Sequence, residues 1–311
     1  MDDVLSLFGK SLKEVGKSPV LLIAGLVVGV LSLPLLAGYG GLDETIRSIA
    51  VDFSQLFVPL LILPFVTGGA LGYAMEVREK GSSSLKTFTA SAVKHYPKMI
   101  MGGIIAFVAY YILLTGVMVF LVAGAVVDPF LGSLMGLLVL AIAFLVLMAI
   151  EFYDISIVAD GTGVMDAFKK SIDFARKNLT SVVVFFIVAV VLKALIQLPL
   201  SFGMAGAMLS NQTYYNAFLA ASNASFNNST LTASNSTLLT ANSSFNATSL
   251  LNMAPITLST EALIVVGIFQ VLLQGFVFAF LAIYKTEVYL TTKGHKKITD
   301  FDYDFSEEKT P

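Results

Sequence analysis

Long apolar runs alternate with short lysine-bearing segments along this chain. A helix that crosses a bilayer needs about 20 mostly apolar residues. Six runs qualify: about Ser18 to Ala37, Gln55 to Met75, Met99 to Val127, Leu131 to Val158, Leu179 to Met208 and Glu261 to Tyr289. Ser18 is placed to cap the first helix, with Pro19 opening it. The last four runs exceed one bilayer thickness, which predicts tilt or extension beyond the lipid. The first run lacks a small-residue cleavage site and reads as a span, not a signal peptide. Pro59 and Pro64 predict a kink in the second span.

Between the spans the periodicity changes. Leu5, Phe8 and Ser11 match Leu85, Phe88 and Ser91, and then Met165, Phe168 and Ser171, at a spacing of 80 residues both times. In each copy apolar residues fall at i, i+3 and i+7, one face of a helix. Lys10, Lys13, Lys86, Lys94, Lys169, Lys170 and Lys177 take the other side. Such a helix is expected to lie at the membrane surface, its apolar stripe in lipid and its lysines near anionic headgroups. The predicted fold is therefore all-α: an integral membrane protein of six transmembrane helices, as three repeated hairpins each preceded by a cytoplasmic interfacial amphipathic helix. The repeats cover about 1–80, 81–160 and 161–292 of a single membrane domain, 1–292. Residues 293–311 form a tail. Three parallel repeats require an axis along the membrane normal.

Charge sets the orientation. With the N-terminus in the cytoplasm, 17 of the 19 Lys and Arg residues fall on the inner side, as cytoplasmic loops demand. Arg47 lies outside and Lys193 within a span. Composition agrees: 56% of the 311 residues are apolar, 13% are charged and mean hydropathy is +0.84, against about 25% charged in soluble domains. The net charge of −2 gives no bulk attraction to nucleic acid. The absence of cysteine excludes disulfides and thiolate chemistry.

An outer low-complexity loop, 209–260, is inserted in the third repeat. It is rich in Asn, Ser and Thr and holds seven Asn-x-Ser/Thr sequons, at Asn211, Asn223, Asn227, Asn228, Asn235, Asn242 and Asn246. Outside the membrane these are N-glycosylation acceptors; the alternative is a neutral spacer. Glycans without cysteines, with an uncleaved first span, suggest an archaeal cell membrane ahead of a eukaryotic secretory membrane.

Polar residues inside spans are costly and mark functional candidates. Lys193 is the deepest, with Gln197 one turn further out; Gln270 and Gln274 lie a turn apart on the last span. Antiparallel helices keep a constant index sum, which sets Lys193 opposite Gln274 and Gln197 opposite Gln270. The pairs serve either as interhelical glue or as a solute or ion pathway. Glu76, Glu151, Asp154 and Glu287 sit near inner helix ends, either as anchors bonded to the interfacial helices or as a cation or proton site. Gly68-x-x-x-Gly72 and Gly132-x-x-x-Gly136 permit close helix packing.

Asp154 precedes Gly161 by seven residues, as Glu287 precedes Gly294; Ala167-Phe168, Ser171 and Asn178 follow. This string resembles the YciC-like multi-pass proteins and the membrane domain that accompanies glycerophosphodiester phosphodiesterase domains. The resemblance implies a helical membrane protein of poorly defined role. It carries no phosphodiesterase activity over, because that domain has no counterpart in this sequence. The six-span threefold plan is similar in outline to mitochondrial carriers, but their Pro-x-acidic-x-x-basic signature does not follow Pro34, Pro59, Pro64 or Pro199.

No Walker, Gly-x-Ser-x-Gly or His-Glu-x-x-His string occurs, and no cofactor or metal is implied. His95 and His295 read as surface or interfacial residues. In the tail, Lys293, Lys296 and Lys297 precede an alternation of acids and aromatics from Asp300 to Phe305, which is either solvated or docks a cytoplasmic partner. The expected partners are membrane lipid and anionic headgroups; the sequence sets no oligomeric state. Two functions remain: a non-enzymatic membrane scaffold or accessory protein, or a transporter of a small solute, ion or lipid with a site near Lys193. A continuous polar cavity converging on Lys193 favours the transporter; a dry, close-packed interior favours the scaffold.

Overall fold

A computed structural model describes residues 2–34, 45, 48–49, 53–127, 129–210 and 258–294. The seven sequons, Arg47, His295 and the acidic-aromatic tail lie outside the described residues.

The described elements are helical. α1 is Asp2–Val15 and α2 is Pro19–Ser32. A π-helical stretch, Phe53–Ile62, runs into α3, Leu63–Lys80. α4 is Leu85–Val127, α5 Pro129–Ile150, α6 Tyr153–Asp160, α7 Val164–Lys177, α8 Leu179–Ser210 and α9 Thr260–Thr292. Five stretches are long and apolar enough to cross a membrane: Leu56–Lys80, Leu85–Phe120, Leu134–Asp160, Leu179–Ala207 and Thr260–Thr292. A sixth arises if α1 and α2 count together, though they are bent by 86° at Gly16–Ser18. Pro19 opens α2 as expected, but the Ser18 hydroxyl does not cap it. Pro59 falls within the π-helical stretch, and Pro64 opens the α-helical part. The expected kink is thus a change of helix type.

Two helix boundaries differ from the sequence reading. The amphipathic segment from Leu85 is not a separate element: it continues through Pro97 into one 43-residue helix. That helix is about 65 Å long at 1.5 Å per residue. Proline removes one amide donor and need not end a helix. The fourth span, conversely, is interrupted at Glu151 and Phe152, between α5 and α6. The Ser171 hydroxyl of α7 stitches the gap, donating to the Ala149 carbonyl at 2.7 Å and accepting from the Phe152 amide at 3.0 Å. A broken helix at membrane depth survives only where protein groups satisfy its freed backbone.

Most of the tightly buried core lies toward the lysine-bearing ends of the helices. Phe152, Phe185, Phe280, Tyr284 and Tyr289 are fully buried there, in ring contacts such as Phe185–Tyr284 at 5.5 Å. The outward parts of α4 and α5 expose Ile112, Phe130 and Leu137, as lipid contact requires. α2 and α9 meet so closely that a Cβ on Gly25 would lie 2.5 Å from the Gly275 carbonyl oxygen. Only glycine permits that approach.

The amphipathic segments bury a different face from the one expected in lipid. Ser11, Ser91 and Ser171 are almost wholly buried, while Leu12, Leu85, Met165 and Ile172 are exposed. Ser91 donates to the Gly68 carbonyl of α3 at 2.8 Å. A Cβ on Gly72 would have no room against the Ser91 hydroxyl. The small polar residue admits a neighbouring span that a leucine would hold off. His95 is buried on the same face, its Nδ1 3.0 Å from the Ser91 carbonyl oxygen. It is therefore not a surface residue.

Candidate functional site

The last turns of α9 gather charge from distant parts of the chain. Lys285 sits in a run buried from Ala282 to Leu290. Its ammonium lies 2.8 Å from Asp154 Oδ2 and 3.0 Å from Glu151 Oε1. The rings of Phe152 and Phe185 stand 5.8 and 6.0 Å away. The Asp154 carboxylate also accepts the Ile155 amide at 2.7 Å. The break in the fourth span puts Glu151 and Asp154 on one ammonium. Acids three residues apart share a helical face only approximately, and the freed turn lets both point inward.

Two further knots flank this triad. Glu287 Oε1 accepts from Lys10 of α1 at 2.8 Å, and Arg78 Nε of α3 lies 3.7 Å from Glu287 Oε2. The chain's first helix is thereby tied to its last. Asp160 accepts from Lys293 at 2.7 Å and from Lys170 at 3.1 Å, and from the Tyr289 hydroxyl at 3.2 Å. Partial burial pulls the Lys293 ammonium down, but the Asp160 bond outweighs it and holds the group above its ordinary value. Glu76 accepts from Lys80 at 2.9 Å and from Ser83 at 2.6 Å. Glu76, Glu151, Asp154 and Glu287 are all in ion pairs.

Beside the triad lies a cavity of about 210 Å³ between α3, the α5–α6 break, α8 and α9. Its polar lining is Thr67, Glu151, Asp154, Lys193, Gln274 and Lys285. Lys193 and Gln274, set at matched depth by index sum, thus border one space. Gln197 and Gln270 do not border it. Gln197 is exposed, and Gln270 is buried with no partner for its Oε1 among the described residues. Lys193 lies within electrostatic range of Glu151, yet has no ion pair among the described residues. Helical side chains lean toward the helix N-terminus. Lys193 on α8 and Lys285 on antiparallel α9 therefore lean toward each other, with Glu151 between them.

Sequence reasoning missed Lys285 and Thr67. The count of basic residues places Lys285 in the cytoplasmic set, although the predicted span Glu261–Tyr289 encloses it. Thr67 carries no charge or spacing signal. Among the described residues no group of three or more His, Asp and Glu side chains is arranged to hold a metal ion.

The arrangement defines an all-helical protein with several membrane-crossing helices and a charged chamber beside a broken span. The chain belongs to a family described as a domain of unknown function, DUF7847, whose model matches residues 3–292. That description assigns no activity and names neither the YciC-like nor the phosphodiesterase-associated proteins. No match to the chain was found among curated proteins or solved structures.

Proposed function

We propose that this is a non-enzymatic multi-pass protein of the cell membrane, its N- and C-termini cytoplasmic, that admits a small solute, ion or lipid into the chamber at Lys193. Of the two readings left by the sequence, the transporter draws support from a largely apolar cavity bordered by Lys193, Glu151, Asp154 and Lys285. The single observation carrying this reading is that cavity, set against the interruption at Glu151. Broken helices with polar residues near the membrane midplane are a recurring way to build solute and ion sites. An ammonium within a span, with no ion pair among the described residues, is costly unless it serves a function.

The threefold plan supports the same picture. Gly81, Gly161 and Gly294 all take positive φ, at 77°, 64° and 72°, and each ends the second span of a predicted repeat. Ser91 and Ser171 bond the second span of the preceding repeat. Phe8 packs on Phe280 of the last span at 4.9 Å, which makes the scheme cyclic. The Asp154–Asn178 string favours kinship with the YciC-like proteins.

A scaffold or accessory role is the second reading, favoured by the ion pairs that tie α1, α3 and α7 to α9. Flux of radiolabelled solutes into proteoliposomes decides between them. Uptake that Lys193→Ala abolishes supports the chamber. A wild-type protein that carries nothing, yet recruits anionic lipid or partners through its amphipathic helices, supports the scaffold.

A further inference from the structure

Resting on the chamber reading, we propose that the cavity takes a small organic monoanion with an apolar body, anchored by the Lys193 ammonium. The hydrogen-bonding inventory decides the sign of the ligand. Asp154 has one carboxylate oxygen on Lys285 and the other on the Ile155 amide. Glu151 has one carboxylate oxygen, Oε1, on the same Lys285 ammonium at 3.0 Å. A visiting cation would have to displace a buried ammonium from two carboxylates. Lys193, by contrast, brings three N–H donors and no ion-paired acceptor among the described residues, and Thr67 and Gln274 add donors on the same wall. The lining thus sets an ammonium with no ion pair among the described residues beside carboxylates that Lys285 already holds.

The remaining lining sets the ligand's body. Leu63, Ile196, Val277, Phe278 and Leu281 face the cavity, so the part beyond the anionic group must be hydrocarbon. The volume of 210 Å³ is roughly that of seven liquid waters. It suits a short-chain carboxylate, and is too small for a two-chain phospholipid. Glu151 competes electrostatically for Lys193, so an anion bound there must outcompete it.

The full chain in nanodiscs tests this with hexanoate, hexan-1-ol and hexylammonium. The protein has no tryptophan, so Phe278→Trp places a single reporter on the cavity wall. Hexanoate is expected to bind about tenfold more tightly than the alcohol, the worth of one charge-assisted hydrogen bond. Lys193→Gln should reduce that preference to within about threefold. Glu151→Gln should strengthen hexanoate binding, an increase that no purely structural role for Glu151 predicts. A rise in the Tm of the unsubstituted chain with hexanoate, absent in Lys193→Gln, reads the same event without the reporter. If hexylammonium or hexanol binds as tightly as hexanoate, the anion assignment is overturned while the chamber stands. If none of the three shifts either signal, the chamber reading falls with it.

Discussion

Lys285 and Asp154, 131 residues apart in sequence, meet at 2.8 Å in the core. The contact joins the last span to the short helix that follows the break in the fourth. Glu151 shares the same ammonium, so the two sides of the contact are unequal. Lys285→Met strands the buried Asp154 carboxylate and the partly buried Glu151 carboxylate, whereas Asp154→Asn leaves Lys285 on Glu151. Breaking a buried pair costs about 3–5 kcal/mol. Lys285→Met is expected to reach that range and Asp154→Asn to fall below it. Thermal unfolding of both variants in the same detergent measures the order. Equal losses would mean that Glu151 does not share the charge.

The glycine seam between α2 and α9 makes a second prediction. At Gly25 a methyl group would collide with the Gly275 backbone, which cannot turn aside as a side chain can. Gly25→Ala should destabilise the protein by about 1–3 kcal/mol, the usual cost of overpacking. Gly206→Ala, with nothing within 4 Å of the new methyl, should be neutral or slightly stabilising. The pair share a chemistry and differ only in surroundings, so their Tm difference isolates the seam.

Topology is open to direct mapping because the chain has no cysteine. Single cysteines at Asn235 and at Ser306, on intact cells, should react oppositely with a membrane-impermeant maleimide. The loop position is expected to label from outside and the tail position only after lysis. Labelling of both from the same side would refute the six-span orientation.

Much of this arrangement was legible in the residues, for local reasons. The span positions follow from apolar run length, and the shared cavity of Lys193 and Gln274 follows from helical rise along two antiparallel rods. What escaped was tertiary. Ala149-Ile150-Glu151-Phe152 holds neither Pro nor Gly, so nothing local announces the break; Ser171, on a later helix, satisfies the opened backbone. Lys285 looked like one more cytoplasmic lysine because its partners come from another span. Ser11, Ser91 and Ser171 were legible as a repeat but not as the buried face, since hydrophobic periodicity counts serine as polar.

That last point can be tested on two equivalent residues in different backbone settings. Ser91 donates to a carbonyl inside the continuous helix α3, and its hydroxyl lies 3.3 Å from His95 Nδ1. The Gly68 carbonyl there already receives an intrahelical amide in regular α geometry. Ser91→Ala should therefore cost only about 0.5–1.5 kcal/mol. Ser171 makes two bonds across a gap, and its Phe152 amide partner is the first donor beyond the interruption. Ser171→Ala leaves that buried amide without its acceptor, a penalty of about 1–3 kcal/mol on top of the lost donor bond. Hydrogen exchange supplies a readout specific to the break. In Ser171→Ala the amides of Phe152 and Tyr153 should exchange faster, while the corresponding stretch of α3 in Ser91→Ala should hold its protection. Equal Tm losses and unchanged exchange at Phe152 would show that the fourth span is held by its side-chain packing alone, without the serine bridge.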